Sequence, residues 1–337
     1  MYTDDFGLSA PPFQLTPDAR FWFGSRTHRK AMAYLGYGLA QGEGFIVVTG
    51  EIGAGKSTLV QHLLATIDRE RLNAISLVST QVEGDDMLRL VAQGLGLPAD
   101  GAKARLLDSV EAKLLDEARR GRRTLLVVDE AQTLAVSALE ELRMLSNFTS
   151  QGRALIQIFL LGQPEFRGRL AEPGLEQLRQ RVIATHHLEA IDANEVEAYV
   201  VHRLSVAGWT GRPAFAPEAF TALHRHSGGI PRRLNQLGSR LLLHAAVEGL
   251  ETIGADAVEA VVADLAADTP QAAPERVLPL RAAAAPQEPA RDLALERRIA
   301  ALEARADEQE RAVRRILTLL VEWVENGQQA PGYTHAA

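Results

Sequence analysis

Gly50-Glu51-Ile52-Gly53-Ala54-Gly55-Lys56-Ser57 matches the pattern G-x-x-x-x-G-K-[ST]. Wrapping a triphosphate requires backbone N–H groups turned inward around an anion, and glycines permit the tight, partly left-handed path that does this. The run 45–49 before it, Phe-Ile-Val-Val-Thr, is short, apolar and bounded by glycines, which predicts a buried strand. Residues 56–67 read as a helix, whose positive N-terminal end favours phosphate. This strand–loop–helix context separates a phosphate loop from a chance glycine-rich turn. The candidate nucleotide contacts are Gly50, Glu51, Ile52, Gly53, Ala54, Gly55, Lys56, Ser57 and Thr58. Lys56 is placed to reach the β- and γ-phosphates of ATP, and the Ser57 hydroxyl to ligate magnesium.

Working outward, strands and helices alternate. Strands are expected at 73–79, 124–128, 154–161 and 182–188, with helices at 85–95, 103–120 and 137–147 between them. Such alternation implies a parallel sheet covered on both faces. The third strand, Leu125-Leu126-Val127-Val128, runs into Asp129-Glu130. Asp129 at the strand tip is the candidate for the magnesium shell, and Glu130 for the general base that polarises the attacking water. Carboxylates after a strand also serve as plain helix N-caps. Here both motifs belong at the C-terminal edge of one sheet, where α/β proteins bind ligands. The string Asp129-Glu130-Ala131-Gln132 also occurs in helicases, whose other blocks are not evident.

The fourth strand ends in Leu161-Gly162-Gln163-Pro164, so Gln163 is a candidate contact to the γ-phosphate or its water, the alternative being a turn residue before proline. Before the fifth strand, Gln177-Leu178-Arg179-Gln180-Arg181 offers two arginines. An arginine can stabilise charge on a transferring phosphoryl group, often from a neighbouring subunit, although most surface arginines form ordinary salt bridges. Four helices, 195–206, 217–226, 231–248 and 255–265, follow without a strand signal and predict a small helical lid. Gly228-Gly229-Ile230-Pro231-Arg232-Arg233 opens one of them with two cations, unfavourable for the helix dipole, so Arg232 is a candidate nucleotide contact from above, the alternative being a solvated basic helix start. The adjacent His186 and His187 lack a further ligand at metal spacing and read as structural.

The expected organisation is a polar N-terminal segment and helix (1–43, the helix at 26–39), the nucleotide-binding αβα domain (44–191) and the helical lid (192–266). An Ala/Pro-rich linker (267–290), an amphipathic helix (291–326) and a tail (327–337) complete it. In the amphipathic helix Leu295, Ile299, Leu302, Ala306, Gln309, Val313, Ile316, Leu320 and Trp323 recur at alternating steps of four and three, a coiled-coil stripe for a second copy or a partner. A single amphipathic helix docked on its own chain is the blander reading.

The 337 residues suffice for one or two cores, and 46% hydrophobic content fits a globular class. Aromatics are 5%, so the cores should be aliphatic. There is no cysteine, hence no disulfide framework or thiolate metal site. The N-terminus has no basic region before an apolar stretch, and no apolar run approaches the ~20 residues of a membrane span. A formal net charge of −7 weighs against broad nucleic-acid contact.

With these residues assembled, the chain resembles AAA+ ATPases of the ExeA/GspA secretion type. Within that group it looks most like the ATPases associated with the XrtA exosortase and PEP-CTERM sorting system. The strings that carry this are GEGFIVVTGEIGAGKSTL, LLVVDEAQTL, ALEELRMLSNF, LLGQPEFR, LRQRVIATHHL and GGIPRRLN. The resemblance implies an α/β P-loop NTPase (AAA+) αβα sandwich with parallel sheet order 5-1-4-3-2, a helical lid, and ATP with magnesium at the domain junction. It implies that Gln163 is the sensor-1 residue, Arg181 the arginine finger with Arg179 as second candidate, and Arg232 the sensor-2 arginine. It also implies homo-oligomers with a finger supplied in trans. Proteins of this type commonly continue into a membrane span and a peptidoglycan-binding region. Neither is evident here, so the expected setting is cytoplasmic, or peripheral at the inner membrane through a partner in secretion, exopolysaccharide export or protein sorting. Rival readings are a DNA-associated regulator like the TnsC-type transposition ATPases, a nucleotide-switched scaffold with negligible turnover, and a small-molecule P-loop kinase.

Overall fold

The computed structural model describes residues 2–78 and 82–268. The expected linker, heptad helix and tail lie outside the described residues. Five parallel strands form the central sheet: Phe45–Gly50, Leu72–Val78, Arg123–Asp129, Ile156–Gly162 and Val182–Leu188. Their spatial order is fifth, first, fourth, third, second, the order expected. The register pairs Phe45 with Val182 and Gly50 with Leu188 on one side of the first strand, and Phe45 with Ile158 on the other.

Strand period accounts for the layers. Successive side chains point to opposite faces, so a strand covered on both sides must be apolar throughout. Phe45, Val47, Leu126, Val128, Ile158 and Leu160 pack with the helices Gly84–Gly94, Lys103–Arg119 and Val136–Leu145. Their alternates Ile46, Val48, Leu125, Val127, Phe159 and Leu161 pack with Arg26–Gln41 and Lys56–Thr66 on the other face. The fourth strand begins two residues later than expected, because Arg153–Ala154 turns back to pair antiparallel with Thr149–Ser150.

The lid helices are Val196–Val206, Pro217–Ser227, Pro231–Val247 and Ala255–Asp268. Two features depart from the sequence reading. Ala214–Phe215 and Thr252–Ile253 pair as a two-residue parallel ladder, too short to leave a periodic signal. The N-terminal segment, expected to be a polar lead-in, is part of the lid core: Leu8, Phe13 and Phe21 are buried among Val196, Tyr199, Leu237 and Leu241. Its apolar residues are irregularly spaced between prolines, so no period betrays their burial. The chain thus crosses from the lid core at Phe21 to the sheet layer at the helix Arg26–Gln41, and both bodies flank the C-terminal edge of the sheet.

Candidate functional site

The first strand ends at Gly50, and five residues separate it from the helix Lys56–Thr66. Gly53 and Gly55 take left-handed backbone, with φ of 84° and 98°. Both are also pressed from outside: a Cβ on Gly53 would stand 2.4 Å from the Arg232 Cβ, and one on Gly55 2.7 Å from His28 Nε2. Only glycine meets both demands. The lid touches the loop directly, since the Arg232 N–H donates to the Gly53 carbonyl at 3.1 Å.

Lys56 is buried, and its ammonium donates to the carbonyls of Gly50 (2.6 Å) and Glu51 (3.1 Å). Burial lowers its pKa, while the carboxylates of Glu130, Asp129, Glu51 and Glu165 act in the opposite direction. The Ser57 hydroxyl donates to Asp129 Oδ2 at 2.9 Å, although the two residues are 72 positions apart. A hydroxyl beside a carboxylate is a hard-oxygen pair that suits magnesium, which takes one or two protein oxygens and completes its shell with water and phosphate. No group of three or more His, Cys, Asp or Glu side chains placed to hold a metal ion occurs among the described residues.

Glu130 follows Asp129 in left-handed backbone, φ 57°, which is rare for a residue with a side chain. Its Oε2 accepts from Gln132 Nε2 at 2.6 Å and from Gln163 Nε2 at 3.4 Å. Gln163 therefore reaches the carboxylate, and its own backbone N–H donates to Gln132 Oε1 at 2.9 Å. Gln132 was visible in the sequence as part of the string after the third strand, but nothing there marked it as a link between Glu130 and the fourth strand.

These groups open onto one cleft of about 440 Å³ between sheet and lid. Ile52, Gly53, Gly55, Lys56, Ser57, Thr58, Glu130, Gln163 and Arg232 line it, while Gly50, Glu51, Ala54 and Asp129 are not among the lining residues. The remaining wall was not foreseen. Leu15, Pro17, Phe21, Trp22 and Phe23 come from the N-terminal segment, and Tyr199, Arg203 and Asn235 from the lid. The Tyr199 hydroxyl donates to Asn235 Oδ1 at 2.7 Å. Arg203 donates to the Pro12 carbonyl at 2.7 Å and lies over the Phe21 ring at 4.8 Å, pinning the segment to the lid. Trp22 stacks on His62 at 4.4 Å. His28 lies beneath the loop, its Nδ1 2.6 Å from the Ser25 hydroxyl and its ring bonded to the Ala54 backbone. Burial pulls its pKa down to about 4, so the ring is neutral.

Arg179 and Arg181 do not enter this cleft. Arg181 precedes the fifth strand at the N-terminal edge of the sheet, opposite the phosphate loop, with its guanidinium 3.4 Å from the carbonyl and hydroxyl of Ser146. Arg179 is exposed and 3.7 Å from Glu176. His187 Nδ1 lies 3.0 Å from the Thr49 hydroxyl, and His186 stacks on Tyr34.

A phosphate loop, a serine–carboxylate pair and a glutamate on one sheet edge, under a helical lid, define a P-loop protein of the AAA+ fold. The family described as AAA domain matches residues 39–170. The chain is 41% identical over 256 residues to General secretion pathway protein A of Aeromonas hydrophila, a match covering 75% of this chain and 46% of that protein. It therefore spans less than half the length of that relative. Among solved structures, the ORC2 protein of Aeropyrum pernix in ADPNP–ADP complexes aligns with TM-score 0.58 at 18% identity, covering 76% of this chain and 72% of that one. Cdc6p of Pyrobaculum aerophilum aligns with TM-score 0.53 at 15% identity, covering 75% and 70%. At that identity these two report the fold alone. No helix of the described residues is long and apolar enough to cross a membrane.

Proposed function

We propose that the chain binds ATP with magnesium in this cleft and hydrolyses it. The observation that carries the reading is the convergence, from segments 70 and more residues apart, of Lys56, the Ser57–Asp129 pair and Glu130 on one edge of one sheet. In this reading the loop N–H groups and Lys56 hold the phosphates. Ser57 and Asp129 would hold magnesium, which would supply charge neutralisation at the phosphoryl oxygens. Glu130 takes the proton of the attacking water. Gln163 and Arg232 face the terminal phosphate, and the aromatic and polar wall of Phe21, Trp22, Tyr199 and Asn235 receives the base. Arg232 bonds the phosphate loop from the lid, so loss of the terminal phosphate alters a contact that joins two bodies.

The assembly belongs to the same proposal. Arg181 sits at the sheet edge remote from its own phosphate loop, which suits a finger offered to a neighbour's site in a homo-oligomer, with Arg179 as the alternative. The kinship to General secretion pathway protein A supports work at the envelope: secretion, exopolysaccharide export or PEP-CTERM/exosortase protein sorting, from the cytoplasmic face and through a partner. The strings quoted above favour the sorting system within that range. The 291–326 stripe would supply the contact to itself or to that partner.

The test is phosphate release with ATP and magnesium on the full chain, beside Glu130→Gln. The variant should keep ATP binding and lose release by at least about 10²-fold, the usual weight of a general base. Equal rates in both proteins would overturn hydrolysis by Glu130, and failure of the parent chain to retain ATP would overturn the nucleotide reading.

A further inference from the structure

We propose that Gln132 is a positioning residue for the reaction: it fixes which oxygen of Glu130 meets the attacking water and ties that carboxylate to Gln163. The inference rests on the reading of Glu130 as general base. Its own support is the direction of the amide. The atom of Gln132 that meets the Gln163 backbone N–H must be an acceptor, and so is Oε1. The other end of the same planar amide is then a donor, and it lies 2.6 Å from Glu130 Oε2. One side chain thereby reads a backbone donor just past the fourth strand and holds a carboxylate just past the third. Reversing the amide would lose both bonds, so Gln132 has one stable orientation.

The surroundings hold Gln132 from other directions. Arg169, on the helix Glu165–Leu170, donates to the carbonyl of Gln132 and, at 2.8 Å, to that of Leu134. Gly162 leaves room for the amide, since a Cβ there would come within 3.2 Å of Gln132 Oε1. Glu130 acts on the Lys56 ammonium together with Asp129, Glu51 and Glu165, and Arg169 meets the backbone of Gln132 from the helix after the fourth strand. The bonds of Gln132 and Gln163 both fall on Oε2. Oε1 is therefore the oxygen left to accept the proton. Any shift of Gln163 that accompanies contact with the terminal phosphate is carried to the carboxylate by its own amide and through Gln132.

The experiment compares ATP turnover of the full chain with Gln132→Ala, Gln132→Asn and Glu130→Gln. Gln132→Ala should lower kcat by about tenfold or more, the weight of one hydrogen bond to a charged group, with KM for ATP within about twofold. Gln132→Asn, one methylene shorter, should not restore the rate. In the Glu130→Gln background, Gln132→Ala should have no further effect. A residue that only supported the loop would lower stability and ATP affinity together. An unchanged kcat in Gln132→Ala, or a loss of ATP affinity that matches the loss of kcat, overturns the proposal. If Glu130→Gln turns over normally, the general-base reading fails first. If Glu130→Gln is inactive while Gln132→Ala is not, the positioning role alone fails.

Discussion

At the scale of single residues, Lys56 and His28 show how burial sets the chemistry of the phosphate loop. Lys56 is a buried cation whose ammonium meets two loop carbonyls. Lys56→Ala removes a cation from the cleft without opening a large apolar void. ATP affinity should fall by a factor of about 100 or more, as expected when a bound phosphate loses a charge-assisted partner. The melting temperature without nucleotide should barely change. Calorimetric titration beside a thermal melt separates the two. His28 makes a pH prediction. The unfolded chain takes up a proton on this ring below about 6.5, whereas the folded chain does not until about 4. Stability therefore falls as pH drops through that window and levels off below it, by on the order of 3 kcal/mol for this one group. His28→Gln keeps a side chain that can still bond but cannot titrate. Its stability measured by denaturant between pH 7 and pH 4 should decline less than that of the parent chain. Parallel curves would show that His28 titrates normally.

At the scale of elements, the lid owes its core to a segment 200 residues away in sequence. Phe13 is buried against the helix Pro231–Val247, at the position where Gly238 has no side chain: a Cβ on Gly238 would stand 2.8 Å from the Phe13 ring. Alanine is a better helix former than glycine by about 1 kcal/mol. Overpacking here should outweigh that gain, and Gly238→Ala is expected to destabilise by about 1–3 kcal/mol. Phe13→Ala should cost about 3–5 kcal/mol through the cavity it leaves. Combining the two should cost less than their sum, because the added methyl then meets empty space. Chemical denaturation of the four proteins reads the cycle, and strict additivity would separate the two sites. The same lock appears at Gly38, where a Cβ would stand 2.1 Å from Ile46, so the helix Arg26–Gln41 lies close on the first strand.

At the scale of the whole molecule, the phosphate loop and Arg181 occupy opposite edges of the sheet. On the proposed finger in trans, a subunit with a damaged loop should still offer its arginine, and a subunit without the arginine should still hold ATP. Mixing Lys56→Ala with Arg181→Ala, each inactive alone, should restore part of the turnover at protein concentrations where subunits associate. No recovery at any ratio, with association verified by light scattering, would rule out a finger in trans. Turnover per subunit in the parent chain should also rise with protein concentration, which a self-sufficient monomer would not show.

The nucleotide end of the cleft was readable from the amino acids because its rules are local. A glycine-framed loop between an apolar strand and a helix, and two carboxylates at a strand tip, are each written within eight neighbouring residues, where backbone geometry and anion chemistry leave few options. The three central strands were readable for a similar reason, since burial on both faces demands near-continuous apolar runs, whereas the edge strands Leu72–Val78 and Val182–Leu188 are mixed and partly exposed. Only the tertiary structure decided that Phe13 and Phe21 close the lid core, that Tyr199, Arg203 and Asn235 line the cleft, and that Gln132 joins Glu130 to Gln163. Those groups carry no period and stand far apart or unremarked along the chain. Their roles come from which surfaces meet once the lid packs beside the sheet edge, a matter of shape and hydrogen-bond direction in three dimensions.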